Sequence, residues 1–133
     1  MSDVKKIATR ESYGNTLVEL AKEHDDIFVL DADLAGATKT DIFKKAFPDR
    51  HIDCGIAEAN MMGIAAGMAA TGKVPFASSF AMFAAGRAFE QIRNSIGIRK
   101  FNQFKYSRYC ICCIEVVIHC FFKFSTKCSH FCQ

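Results

Sequence analysis

The end of the chain lacks residue types that folded domains normally use. Residues 98–133 contain no Gly, Ala, Leu, Pro, Asp or Met, and all eight glycines of the 133-residue chain come before them. This segment therefore lacks the main turn-forming residues, and its apolar residues follow no helical or strand period. We interpret residues 98–133 as an aberrant Cys- and Phe-rich tail, produced by a frameshift, and expect it to adopt no single packed structure.

Cysteine is almost absent before the tail, where Cys54 is the only one, and the other six crowd into residues 110–132. Cys110, Cys113, His119 and Cys120 raise the alternative of a zinc site, but zinc modules place a second ligand pair at defined spacing across polar turns. The opening MSDVKKIATRESYG has no apolar stretch typical of a secretion signal. We therefore expect a cytoplasmic protein without structural disulfides.

Charge and hydropathy argue against nucleic-acid and membrane functions. Residues 1–97 carry 11 Lys/Arg and 13 Asp/Glu, a net charge of −2, whereas residues 98–133 carry 6 and 1, a net charge of +5. The body of the chain therefore has no basic stripe for nucleic acid. The longest apolar stretch, residues 109–122, is too short to span a bilayer and contains Glu115 and His119.

Short apolar runs alternate with helical patterns before residue 98. The predicted strands are Ile27–Leu30, His51–Cys54 and Val74–Ala77, with Pro75 suited to a strand start or a sheet edge. The predicted helices run from an N-cap at Thr9 to about His24, from Lys39 to Ala46, from Ala57 to Ala70 with Gly72 as C-cap, and from Phe80 to Ile96, and residues 34–37 form a loop. This alternation predicts an α/β fold, a parallel sheet with helices on both faces in three layers, truncated at its C-terminal end.

Glu58 stands out because it opens a helix that is otherwise small and apolar. A buried Glu is rare unless it is paired, so Glu58 either faces water, where the helix dipole stabilises it, or meets a specific partner. Carboxylates and aromatics collect at the predicted carboxyl ends of the strands: Asp31, Asp33, Thr38, Asp53, Glu58, Phe80 and Phe83. Together they could hold a flat, nitrogen-rich ring, or the Phe residues could be core and the Asp residues solvated.

Three segments carry a resemblance to a known family: ATRESYGNTLVEL, GIAEANMMGIAAGMA and PFASSFAMFAAGRAFEQIR. In this order and spacing they resemble the pyrimidine-binding domain of transketolase, in particular the C-terminal subunit of split bacterial transketolases. The resemblance covers about residues 6–97, which we expect to be a partial domain of that kind. It implies the fold of thiamine diphosphate-binding proteins.

The resemblance also implies roles for individual residues. Glu58 matches the catalytic glutamate, which bonds the aminopyrimidine ring of thiamine diphosphate and relays a proton to it. Phe80 and Phe83 match the aromatic residues around that ring. Asp33 and Leu34 match a cofactor-binding Asp-Leu pair, in which the Leu side chain imposes the bent conformation of the cofactor.

Substrate contacts are implied less completely. Arg10 matches an arginine that contacts the phosphate of the sugar substrate, a role suited to a planar guanidinium. Ala37 replaces a phosphate-binding Ser of the family, a contact that Thr38 could take over. Neither His119 nor His130 lies in a context that matches the family's substrate-binding His.

A motif that the family needs is missing. The diphosphate and its Mg²⁺ are held in this superfamily by another domain with a Gly-Asp-Gly motif, which does not occur here. The resemblance therefore implies an N-terminal diphosphate-binding partner subunit, a dimer of heterodimers, and no metal ligand in this chain.

The implied activity is the transfer of a two-carbon ketol unit between phosphosugars. We expect the chain to be inactive in this reaction by itself. Alternatives are 1-deoxyxylulose-phosphate synthase, the pyruvate dehydrogenase beta subunit, or a catalytically empty chain that is either a subunit-binding module or an unstable gene fragment.

Overall fold

The computed structural model describes residues 7–97 of the chain. The helices are α1 (Thr9–Glu23), α2 (Ala35–Thr38), α3 (Asp41–Ala46), α4 (Glu58–Ala70), α5 (Ala81–Arg87) and α6 (Phe89–Gln91). The strands are β1 (Ile27–Asp31), β2 (His51–Asp53) and β3 (Val74–Ser78), and a 3₁₀ turn (Pro48–Arg50) precedes β2. A π-helical turn, Ile92–Gly97, closes the described part.

The three strands form one parallel sheet in the order β2-β1-β3. The register pairs Asp31 with Asp53 on one side and with Ser78 on the other, so all three strands end at the same level. Helices α1 and α3 pack on one face around Leu17, Val29 and Phe43, and α4 packs on the other face with Leu30. This arrangement confirms the predicted three-layer parallel α/β fold.

The predicted strands and the helix around Glu58 are confirmed within one or two residues at each end. Pro75 is the second residue of β3, at an edge of the described sheet, where its missing N–H costs least. Gly72 follows the last turn of α4 with φ +84°, the left-handed conformation that ends helices.

Three details of the local predictions are wrong. Ala8, not Thr9, is the N-cap of α1, and no side chain caps it. The predicted loop at residues 34–37 is largely the one-turn helix α2, and Lys39 at φ +67° separates it from α3. Lys39 therefore ends one helix instead of beginning the next.

The predicted helix from Phe80 to Ile96 is interrupted at Ala88 and continues as a π-helical turn. Ala88, Ile92 and Ile96 pack against the α4 side of the core. Single π-helical turns of this kind are local departures from the α-helix.

Within residues 7–97, no helix combines the length and the apolar character that a membrane crossing needs. The predictions for the tail fall outside the described residues.

Candidate active site

Glu58 is the first residue of α4, and its side chain is 2% exposed. Of the two readings left open by the sequence, the structure shows a specific partner and not solvent. Nη1 of Arg87, the last residue of α5, donates to both carboxylate oxygens at 3.2 and 3.3 Å. The charge of Glu58 is therefore compensated at the point where it is withdrawn from water.

Two phenylalanines lie beside this ion pair. The guanidinium carbon of Arg87 lies 4.3 Å from the centre of the Phe83 ring, and the Phe83 ring stacks on Phe80 with centroids 5.8 Å apart. Phe80 is the N-cap residue of α5 and lies two residues after the end of β3. The structure thus brings together Glu58, Phe80 and Phe83, and it adds Arg87, for which the sequence predicted no role at the site.

The loop after β1 is fixed to the loop after β2 by one carboxylate oxygen. Oδ1 of Asp53 accepts hydrogen bonds from the backbone N–H of Asp33 at 3.1 Å and of Gly55 at 3.0 Å. Asp33 has φ +59° and Gly55 has φ +66°, so both acceptor contacts stabilise left-handed backbone. Among residues 7–97, no hydrogen bond or ion pair joins Asp33 or Leu34 directly to Glu58.

A buried polar network supports the same loop. His51 Nε2 donates to Asp31 Oδ2 at 2.7 Å, and both side chains are essentially inaccessible to solvent. Thr40 also donates to Oδ2 at 3.1 Å, while the N–H of Leu34 donates to Oδ1 at 3.3 Å. Through these contacts, the Asp31 carboxylate fixes the backbone at Leu34. Asp31 therefore stabilises the structure of the loop.

Sequence reasoning missed His51 and Thr40. The sequence signal for the His51–Asp31 pair was a His at the start of one parallel strand and an Asp at the end of the neighbouring strand. That signal could be used only with the register of the two strands, which pairs Val29 with His51.

Arg10 lies exposed in the first turn of α1. One turn later, the hydroxyl of Tyr13 lies 2.9 Å from Oγ of Ser78, the last residue of β3. This contact brings the start of α1 to the carboxyl end of the sheet, the end at which ligands of open α/β sheets bind. Thr38 donates its hydroxyl to the carbonyl of Leu34 at 3.1 Å, so the proposed substitute for the family's Ser is engaged within the loop.

Cys54, directly after β2, has a half-buried thiol. Burial raises the pKa of the Cys54 thiol, and the nearby carboxylates of Asp53 and Asp31 raise it further. The thiol therefore stays protonated at neutral pH and is a poor nucleophile. In the described part of the chain, no group of three or more His, Cys, Asp or Glu side chains could hold a metal ion.

One cleft among the described residues lies away from the predicted site. A cleft of about 380 Å³ is lined by Gly63, Ala66, Gly67, Asn94 and Ser95, between α4 and the π-helical turn, and includes none of the predicted site residues. The candidate site is therefore defined by the Glu58 carboxylate and the stacked phenylalanines. A carboxyl group that exchanges a proton and an aromatic face that stacks suit a flat ring with nitrogen atoms at its edge.

Comparison with known proteins places these features in a family. Residues 5–106 match the family described as "Transketolase, pyrimidine binding domain". The chain belongs to the transketolase family. The match covers all residues that the structure describes and extends nine residues past the predicted boundary at 97.

Several relatives of this transketolase-family chain are highly similar to it. It is 56% identical over 93 residues to a putative transketolase C-terminal section of Methanocaldococcus jannaschii, covering 70% of this chain and 29% of that protein. It is 52% identical over 89 residues to the transketolase of Homo sapiens, covering 66% of this chain and 14% of that protein.

A solved structure described as a split gene transketolase, inactive beta4 tetramer, matches with a TM-score of 0.62 and 64% identity, covering 68% of this chain and 30% of that chain. The chain thus spans less than a third of the length of these relatives. These matches confirm the expected family and the fold of its pyrimidine domain.

Proposed function

We propose that this chain is the pyrimidine-binding part of a split transketolase that transfers a two-carbon ketol unit between phosphosugars. The observation that carries the proposal is the buried carboxylate of Glu58, held at the carboxyl end of the sheet beside two stacked phenylalanines. When bound, thiamine diphosphate supplies the carbon nucleophile that carries the ketol unit. The chain's own residues bind and orient its ring.

Glu58 is proposed as the catalytic residue because its carboxyl group can exchange a proton with a ring nitrogen. Burial at 2% exposure keeps water from competing for that proton. Phe80 and Phe83 would stack on the ring, and Leu34 would support the bent cofactor from the loop that Asp31 fixes. Asp33 is proposed as a cofactor contact. Its backbone N–H donates to the Asp53 carboxylate, while its own side chain is exposed and available to a ligand.

The substrate's phosphate is assigned to Arg10. Its exposure and its position near the carboxyl end of β3, through the Tyr13–Ser78 contact, support this role. A guanidinium offers two parallel N–H donors to a phosphate group. A sugar without a phosphate group would lack this contact.

A partner subunit is required by this proposal. The described residues offer walls for a ring and no metal-binding group for Mg²⁺ and a diphosphate. We propose an N-terminal transketolase subunit as that partner, in a dimer of heterodimers, located in the cytoplasm and acting in the pentose phosphate pathway. A relative is described as a split gene transketolase in an inactive beta4 tetramer, which supports a role for a second kind of subunit in the active assembly.

The proposal is tested with Glu58→Gln in a chain whose residues 98–133 are replaced by the family's continuation and which is coexpressed with a diphosphate-binding subunit. Turnover of xylulose 5-phosphate with ribose 5-phosphate should fall about 10²–10⁴-fold, the usual contribution of a positioned proton-transfer group. Copurification with the partner should be unchanged, since Gln preserves the shape of Glu.

Glu90→Gln is the matched control, because Glu90 lies exposed and, within residues 7–97, its side chain bonds Arg93 and Asn94, which follow it closely in the chain. Turnover of that variant should stay close to the starting value. Near-normal turnover in Glu58→Gln would remove Glu58 from the mechanism. Activity with pyruvate instead of the phosphosugar pair would favour the related thiamine diphosphate enzymes named above.

A further inference from the structure

The contacts that Arg87 makes are the contacts that a bound ring would need. Its guanidinium donates to both oxygens of Glu58 at 3.2 and 3.3 Å and lies 4.3 Å from the centre of the Phe83 ring. A guanidinium is flat, carries N–H donors at its edge and stacks on aromatic faces. A nitrogen-containing ring placed against Glu58 and Phe83 would have the same shape and the same bonding edge.

A bound ring and Arg87 cannot contact Glu58 and Phe83 at the same time unless Arg87 moves. The Glu58 carboxylate is 2% exposed, so few directions of approach remain open to it, and Nη1 of Arg87 already engages both of its oxygens. The Arg87 side chain, in contrast, is 50% exposed. Arg87 is the last residue of α5. Because its side chain already reaches solvent, it can turn away from Glu58.

We propose that Arg87 is an internal competitor for the ring pocket: it occupies the Glu58 and Phe83 contacts in the free chain and is displaced when a flat, nitrogen-containing ring binds. This inference rests on the proposed function of the same site and adds the residue that sets its affinity. The pair also keeps the carboxylate compensated between binding events, because a buried charge without a partner is costly. The binding free energy of the ring is therefore reduced by the free energy of the contacts that Arg87 loses.

The experiment measures the accessibility of Arg87 in the full chain by phenylglyoxal modification and mass spectrometry. Arg93 is the internal control, because it forms an ion pair with Glu90 and its side chain is 52% exposed, nearly the same as Arg87. The probe is thiamine at millimolar concentration, since it carries the aminopyrimidine ring without the diphosphate, and its binding is followed in parallel by saturation-transfer NMR. Modification of Arg87 should rise when thiamine binds, while that of Arg93 should not change.

Affinities for thiamine give the second measurement. Arg87→Met should bind thiamine roughly 3- to 30-fold more tightly than the unmodified chain, the gain expected from removing one half-exposed ion pair and one cation–π contact. Arg87→Lys should lie in between, because an ammonium can pair with Glu58 but cannot stack as a plane. Arg93→Met should bind like the unmodified chain.

Thiamine binding without a rise in Arg87 modification would show that the ring does not displace Arg87. Weaker binding by Arg87→Met would show that Arg87 helps to hold the ring. Either result would overturn the inference while the proposed function stands. A ligand-free comparison tests the pair itself: in Glu58→Gln the modification of Arg87 should already be raised, and no rise would also overturn the inference. If that rise occurs but thiamine does not bind, the ring pocket of the proposed function fails, and the competitor role fails with it.

Discussion

The two faces of the sheet differ in how completely residues 7–97 cover them. On the α1 and α3 side, Leu17, Val29 and Phe43 are fully buried. On the α4 and α5 side, a buried core of Met61 and Met62 lies beside large apolar side chains that face solvent: Ile56, Phe80, Met82 and Phe89. The closed face stabilises the fold, and the open face carries the candidate site.

Glycines show the same difference. A Cβ added at Gly14 in α1 would lie 2.3 Å from the carbonyl oxygen of Lys39, whereas one added at Gly63 or Gly67 in α4 would meet nothing within 4 Å. Gly14 therefore allows α1 to pack closely on the turn before α3. The glycines of α4 create no such contact within the described residues, so their small size leaves a surface on that helix open.

The largest effect that separates the two faces is expected from one phenylalanine on each. Phe43→Ala should lower the free energy of unfolding by about 3–5 kcal/mol, because Phe43 is fully buried and its removal leaves a cavity. Phe89→Ala should change it by less than about 0.5 kcal/mol, because Phe89 is 60% exposed. Urea unfolding of the full chain, followed by far-UV circular dichroism, measures both. Equal losses would show that the open face is packed as tightly as the closed one.

A smaller effect is expected from the two glycines. Gly14→Ala should lower the free energy of unfolding by about 1–3 kcal/mol, since the backbone at Lys39 has to move away. Gly63→Ala should raise it by up to about 1 kcal/mol, because Ala is the better helix former and has room. The same urea titration applies. A stable Gly63→Ala chain that no longer copurifies with its partner subunit would identify the open side of α4 as an interface.

The smallest effect concerns a surface ion pair on the closed face. Lys45 Nζ bonds Asp41 Oδ2 at 2.9 Å, and this hydrogen bond holds the pKa of Asp41 below its ordinary range. A carboxyl group with a lowered pKa in the folded state stabilises the fold above its unfolded pKa and loses that effect as the pH falls through the folded value. Lys45→Ala should therefore cost about 0.3–0.5 kcal/mol at pH 7 and progressively less below about pH 4.

Lys44→Ala is the control for this pair, because Lys44 belongs to the same helix and forms no ion pair within residues 7–97. Its effect on the free energy of unfolding should not depend on pH over the same range. A cost of Lys45→Ala that persists undiminished at pH 2 would show that the lysine acts through its aliphatic stem and not through its charge.

Prediction from the sequence succeeded where the signal was local. The apolar run at residues 27–30 and the small-residue helix after Glu58 each define their element by composition, and both appear within one or two residues. The break at Ala88 was missed, because it depends on how Ile92 and Ile96 pack against α4. Secondary structure was therefore least predictable where tertiary packing selects the type of helix.

At the candidate site, the sequence suggested residues but not their contacts. Glu58 was singled out as a charge that requires an explanation, yet its partner Arg87 lies 29 positions away. Asp31 and His51 are 20 positions apart and meet only because their strands are parallel neighbours in a given register. Such pairs follow from the three-dimensional arrangement, so the proposed roles of Asp33, Leu34 and Arg10 also remain predictions.

The shared contacts of β2 have a consequence for local unfolding. This strand is three residues long and lies at an edge of the described sheet, yet His51 at its start bonds Asp31 and Asp53 at its end bonds the backbone of Asp33 and Gly55. Short edge elements open more easily than the core of a sheet. A single opening of β2 would release the loop that carries Leu34 and the turn that leads into Glu58 at the same moment. The two halves of the proposed ring pocket would then form and open as one cooperative unit.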